Sequence, residues 1–172
     1  MSKVDARCNY NAFLARIFNY TISTLIMKTA KEFYTHLDSI KATVWDQLAD
    51  MADKIAQTEV FCVAYEAVIE NGIKTPGYRD EEPVILEFIE LFYHLDLNVN
   101  FDWMGSREHK LLSEVDYDFN QLGVFDLCKV LTVIVRNDRF YGGYLINRFE
   151  DGTILRILQA LLNRQDWATG GE

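Results

Sequence analysis

The chain has 172 residues, 49% of them apolar and 13% aromatic, and a formal net charge of −9. Such a composition supports a real hydrophobic core and excludes a disordered chain, while two prolines and nine glycines exclude a collagen-like or loop-rich one. The negative charge argues against direct nucleic-acid binding, because phosphate contacts dominate that affinity.

The whole of 1–172 reads as one mainly α domain of several helices, with loose termini at 1–9 and 165–172. Leu14, Ile17, Phe18, Ile22 and Leu25 predict a helix from about Tyr10, although Thr21, Ile22, Thr24 and Ile26 also have strand propensity. The pattern either continues through Phe33 and Leu37 or breaks once, with Asp38 or Ser39 capping the next helix. Val44, Trp45, Leu48, Met51, Ala52 and Ile55 form a clean helical stripe, with Asp50 and Lys54 paired on the opposite side. A third helix is expected from about Thr58 to Glu70, with Val60, Val63, Ala64, Ala67 and Val68 inward and Asn71-Gly72 as its end. Gly72 to Pro83 then reads as a loop around the Pro76-Gly77 turn. Asp80, Glu81, Glu82 and Pro83 open another helix, whose buried face is Ile85, Phe88, Ile89, Phe92 and Leu95. Leu97 to Phe101 alternates as a short strand would, and a small two-stranded pairing with Gly72–Thr75 is open to it. A short helix is expected near Arg107–Glu114.

The stretch from Val124 to Arg164 carries the strongest pattern. Val124, Leu127, Cys128, Leu131, Ile134 and Val135 line one helix face, and Ile154, Leu155, Leu158, Leu161 and Leu162 line another. Between them Asn137 or Asp138 can cap a middle helix bearing Phe140, Tyr144, Leu145 and Phe149. Gly142 and Gly143 would weaken that helix by roughly 1 kcal/mol each if they lay inside it, so the pair demands a reason. Asp151, Gly152 and Thr153 stop it and cap the last helix.

The run Val135-Arg136-Asn137-Asp138-Arg139-Phe140, followed by Gly143, Leu145, Glu150, Gly152, Ile154, Leu155, Ile157 and Leu158, resembles the C-terminal signature of an uncharacterised bacterial family, a domain of unknown function. Phe101-Asp102-Trp103 is similar to a second feature of that family, and the likeness thins out before Gly72. The resemblance implies a bacterial or mobile-element origin and one compact domain. It implies no chemistry.

Charge is unevenly spread. Residues 1–80 are near balance at −1, residues 81–123 carry −8 and residues 124–164 carry +2. The acidic segment 81–118 reads either as a solvated face or as a patch for a basic partner, with Glu81, Glu82, Glu87 and Glu90 as its candidate contacts. Cys8, Cys62 and Cys128 are far apart and form no CxxC or Cys/His cluster, so neither a disulfide framework nor a structural zinc site is indicated and a reducing cytoplasm is the simplest home. The longest uncharged N-terminal run, Ile17 to Met27, has 11 residues, too few for a bilayer that needs about 20.

No phosphate-binding loop, dinucleotide fingerprint, HExxH or GxSxG is present, so no cofactor, metal or catalytic residue is assigned. Asp116-Tyr117-Asp118-Phe119-Asn120 opens like a calcium loop but has Gln121 and Leu127 where glycine and a bidentate acid are needed. His36, His94 and His109 lie in separate segments, and the pairs Glu66/Glu70 and Glu87/Glu90 read as exposed helix acids. Two constellations remain as candidate binding residues: Arg136, Asp138 and Arg139 with Phe140 and Tyr141, and Asp102 with Trp103. The arginines can grip a phosphate or carboxylate, or form a structural Arg–Asp knot between two helices. If Asp102 met Arg136 or Arg139 in space, the two constellations would become one ion-pair hub. The leading expectation is a non-catalytic cytoplasmic interaction module that meets a protein partner through its acidic surface, as a phage or mobile-element inhibitor could. The alternative is a small enzyme or ligand-binding domain with a pocket at the Trp103/Arg136/Arg139 junction. Self-association is left open.

Overall fold

The computed structural model describes residues 29–65, 68–70, 73–75, 78–114 and 116–164. The expected helix from Tyr10, the Asn71-Gly72 end, the Pro76-Gly77 turn and Glu66 lie outside them. The fold is mainly helical. Helices α1 (Ala30–Gln57), α2 (Pro83–His94), α3 (Arg107–Leu111), α4 (Val124–Asn137), α5 (Tyr144–Glu150) and α6 (Thr153–Leu162) surround a single apolar cluster. Strands β1 (Cys62–Tyr65), β2 (Val68–Glu70), β3 (Ile73–Thr75) and β4 (Tyr78–Glu81) stand between α1 and α2. Both pairings are antiparallel: β1 with β4, Cys62 opposite Glu81, and β2 with β3, Val68 opposite Thr75.

Helix α1 is one unbroken element. Thr29 starts it with a capping box, accepting from the Glu32 N–H at 3.2 Å while the Thr29 N–H donates to Glu32 Oε2 at 2.8 Å. Asp38 and Ser39 therefore lie inside the helix and cap nothing, and the Ser39 hydroxyl donates to the His36 carbonyl at 2.6 Å. The apolar stripe is continuous from Phe33 and Leu37 to Val44, Leu48 and Ile55, all buried, so there is no reason to break.

The helix expected over 58–70 is not there. Its residues form β1 and β2, and the segment expected as a loop forms β3 and β4. Phe61, Val63, Val68 and Ile69 are strand formers, and their short apolar run fits a helix face and a strand face equally well. The predicted small β element exists, but Ile73–Thr75 pairs with Val68–Glu70 rather than with Leu97–Phe101. The latter stretch is extended and unpaired, and the Val99 N–H donates to the Thr132 hydroxyl at 3.0 Å instead.

Helix α4 is the centre. Leu127, Cys128, Val130, Leu131, Val133 and Ile134 are fully shielded, which is burial all round the helix rather than on one stripe. Thr132, the buried polar residue at mid-helix, satisfies itself by donating to the Cys128 carbonyl at 2.8 Å. Phe149 of α5 joins Phe61, the residue before β1, to Phe88 of α2, with ring centroids 5.4 Å from both. The Cys62 thiol adds a link from β1 to α5, donating to Glu150 Oε1 at 3.5 Å. An ion pair of 2.7 Å between Lys54 and Glu87 and a bond of 2.9 Å between His36 Nε2 and the Leu95 carbonyl tie α1 to α2. Pro83 is the first residue of α2, as the sequence predicts, with Glu82 as its N-cap, but Asp80 and Glu81, expected to open the helix, belong to β4.

Candidate functional site

The junction after α4 is built from backbone upward. Helical turns continue past Asn137: the Phe140 and Tyr141 N–H groups both bond the Asn137 carbonyl, at 2.9 and 3.0 Å. The chain then reverses at Gly143, whose φ of +85° is the left-handed conformation that glycine adopts without a Cβ penalty. The glycine pair is thus explained by a turn before α5, not by close packing within a helix. The N-cap position is Gly143 rather than Asn137 or Asp138, and Phe140 lies before the helix, but Asp138 still serves its first turn. Asp138 ends α4, and its Oδ1 accepts from the Leu145 N–H at 2.9 Å, satisfying a free donor in the first turn of α5 from seven residues upstream.

With Asp138 committed to that cap, the Arg–Asp knot does not form. Among the described residues the ion pairs are Lys54–Glu87, Lys129–Glu108, Lys129–Asp126 and Arg148–Asp151, so no carboxylate pairs with Arg136 or Arg139. Asp102 is exposed and joins neither arginine, and the proposed hub is absent. The Arg139 Nη2 donates instead to the Tyr93 hydroxyl at 3.3 Å. Arg136 is half-buried, and burial pushes its pKa down; Tyr93 opposes that shift and the Arg139 charge adds to it. The guanidinium stays charged at neutral pH all the same.

Aromatic side chains flank this pair. Phe140 and Tyr141 are each 66% exposed and Met104 is 68% exposed, among the few large apolar groups the fold leaves in water. Half-buried Trp103 bridges the 101–104 loop to the junction, with ring centroids 6.0 Å from Phe140 and 6.1 Å from His109. Trp103, Arg136, Arg139 and Tyr141 therefore occur in one neighbourhood, with Asp138 in a structural role. Tyr93, 46 residues from Arg139 in sequence, is the member that spacing could not have suggested.

The four glutamates do not share one environment. Glu81 is half-buried beside Asp138, and burial first, then the Asp138 charge, raises its pKa. Glu82 is half-buried at the α2 start, Glu87 is neutralised by Lys54, and Glu90 is exposed. An open cleft of about 360 Å³ lies beside them, lined by Lys54, Gln57, Thr58, Glu82, Val84 and Glu87. Its lining mixes both charge signs with one valine and offers no activated nucleophile. Asp118 caps the 3-10 turn Phe119–Gln121 by accepting from the Asn120 N–H at 3.1 Å, which is a structural use of the calcium-like sequence. Among the described residues no group of three or more His, Cys, Asp or Glu side chains could hold a metal ion, and no helix is long and apolar enough to cross a membrane.

A family model described as "Family of unknown function (DUF6508)" matches residues 40–166. Neither the curated proteins nor the solved structures contain a match to this chain.

Proposed function

We propose that this chain, which belongs to the DUF6508 family, is a non-catalytic interaction module whose recognition surface is the aromatic–arginine junction at the end of α4. The observation that carries this reading is the exposure of Phe140, Tyr141 and Met104 together with two arginines that no carboxylate of the described residues pairs with. Aromatic and arginine side chains dominate binding energy at protein interfaces, because they bury large areas and lose little conformational freedom. An acidic protein that keeps a cationic, aromatic surface exposed has that surface available for a partner of opposite charge. The enzyme alternative fares less well. It needs polar groups converging in a concave site, whereas Asp138 serves a helix cap and Tyr141 lies largely in solvent. The acidic surface retains Glu82 and Glu90 as partner contacts, since Glu87 already has its cation.

A photo-crosslinking comparison tests the proposal. Tyr141 is replaced by benzoylphenylalanine in one protein and exposed Thr35 on α1 in another, and each is irradiated in an extract of the source cells. A discrete adduct from position 141 and none from position 35 is the expected result. Equal labelling at both positions, or none at 141, would remove the junction as an interface. A third protein with Glu82→Gln and Glu90→Gln, crosslinked from 141, shows whether the acidic face takes part.

A further inference from the structure

The chemistry of the junction goes further than the existence of an interface. We propose that Arg136, Arg139 and the Tyr93 hydroxyl form a carboxylate-binding site, and that its occupant is an acidic side chain of the partner whose neighbouring apolar residue rests on Phe140 and Trp103. This inference rests on the interface reading above.

Three observations converge. First, Arg136 and Arg139 stand three residues apart across the turn that the Arg139 N–H closes on the Arg136 carbonyl at 3.3 Å, so these two side chains leave the same side, and Phe140 follows directly in the chain. Second, two guanidinium groups share that side without a counter-ion from the described residues. The nearest candidate acid, Asp138, is held by the Leu145 N–H, and Asp102 is exposed and unpaired with them. Each arginine carries five donors in a planar fork that matches the two oxygens of a carboxylate. A half-buried guanidinium with a second one beside it is poorly solvated and repelled, and an anion relieves both penalties. Third, Tyr93 accepts a hydrogen bond from Arg139 through its oxygen, which leaves its own proton to donate.

The aromatics decide between oxyanions. Inorganic phosphate is fully polar and gains nothing from Phe140 or Trp103. A carboxylate linked to an apolar group gains burial of that group on the two rings, which lie 6.0 Å apart, Phe140 being the residue next to Arg139. The Phe140 ring is 66% exposed, so most of its face is open to such a contact.

The test uses purified full chain and backbone amide chemical shifts over residues 136–141, with the Trp103 indole as a reporter. The probes are 3-phenylpropionate, acetate and inorganic phosphate, each against sodium chloride at matched ionic strength. Saturable shifts with 3-phenylpropionate, tighter than with acetate or phosphate, are the expected result. Arg139→Gln, an exposed change that leaves the core intact, should weaken 3-phenylpropionate binding about tenfold by removing one charged hydrogen-bonding partner. Tyr93→Phe keeps the ring and removes only the hydroxyl, and should also weaken it. Phosphate binding tighter than 3-phenylpropionate overturns the carboxylate assignment in favour of a phosphate ligand. Shifts no larger than those with sodium chloride overturn the site altogether, and a crosslink at Tyr141 would still stand. Saturable binding without any crosslinked partner supports the site and sinks the protein-interface reading instead.

Discussion

At the scale of single residues the junction shows how one side chain's commitment frees another. Asp138 caps Leu145 and forms no ion pair with Arg136 or Arg139. The same Asp138 sits near Glu81, which burial and like charge both keep protonated to a higher pH than usual. The folded state therefore binds the Glu81 proton more tightly than the unfolded chain does. That contribution is fully present below the ordinary carboxylate pKa and is lost as pH rises through the raised value. Glu81→Gln, which cannot ionise, should be more stable than the wild type at neutral pH and equal to it below about pH 4. Urea unfolding at the two pH values checks this, and an identical difference at both would mean that the effect is packing rather than charge. Asp138→Ala should cost about 1 kcal/mol through the lost cap, and Asp138→Asn, which keeps an acceptor, should cost less. The two glycines separate cleanly as well. A Cβ at Gly142 meets no atom within 4 Å, whereas Gly143 has a φ of +85°. Gly143→Ala should thus cost roughly 1–2 kcal/mol, while Gly142→Ala is nearly neutral. Comparable melting temperatures for the two variants would contradict the turn geometry.

Between elements, polar contacts fix the angle at which short helices meet the core. Lys129 of α4 reaches Glu108 of α3 at 3.3 Å and Asp126 at 3.0 Å, and it stands 4.8 Å over the Phe125 ring. Burial alone would lower the Lys129 pKa, but the hydrogen bonds and charges of Asp126 and Glu108 outweigh it and raise the value. Glu108 is buried, at 8% exposure, so Lys129 is its principal compensation. Lys129→Met should destabilise by about 2 kcal/mol through the orphaned carboxylate. Adding Glu108→Leu to it should recover part of the loss, and a double variant no better than the single one would show that the pair is not what holds α3. Arg148 plays a similar part on α5. It donates to Asp151 at 2.9 Å, to the Leu112 carbonyl at 3.3 Å and to the Tyr144 hydroxyl at 3.2 Å. Such links explain how α3, with five residues, and α5, with seven, hold their places without long apolar faces of their own.

For the molecule as a whole, stability and recognition are placed on different residues. Phe149 is buried among Phe61 and Phe88, and Phe149→Ala should cost about 3–5 kcal/mol from the cavity it leaves. Phe140→Ser with Tyr141→Ser removes two rings that are each 66% exposed, and should leave the melting temperature almost unchanged while abolishing crosslinking through a reporter at Met104. A large drop in melting temperature for that double variant would show the rings to be core residues. The acidity of the chain is likewise divided in use. Glu108 is buried against Lys129, Glu87 pairs with Lys54, Asp118 and Asp138 cap turns, and Glu90 and Asp102 remain in solvent.

The amino-acid pattern alone determined the long apolar helices. The apolar residues of α1, α2, α4 and α6 repeat every three to four residues, a period that only a helix turns to one side, although α4 is buried on its other sides as well. It also determined the opening of α2, because Pro83 is tolerated in a first turn and not inside a helix. Tertiary structure decided the segment from Cys62 to Glu81, where short apolar runs satisfy either period and cross-strand pairing supplies the missing energy. It also decided the site. Nothing in the spacing of Arg136, Asp138 and Arg139 says that the aspartate bonds a backbone N–H in the next helix, or that a tyrosine from α2 takes one of the arginines. Those partners are chosen by how whole helices pack, and that packing, by leaving both cations without a carboxylate partner among the described residues, is what makes the junction a candidate for recognition.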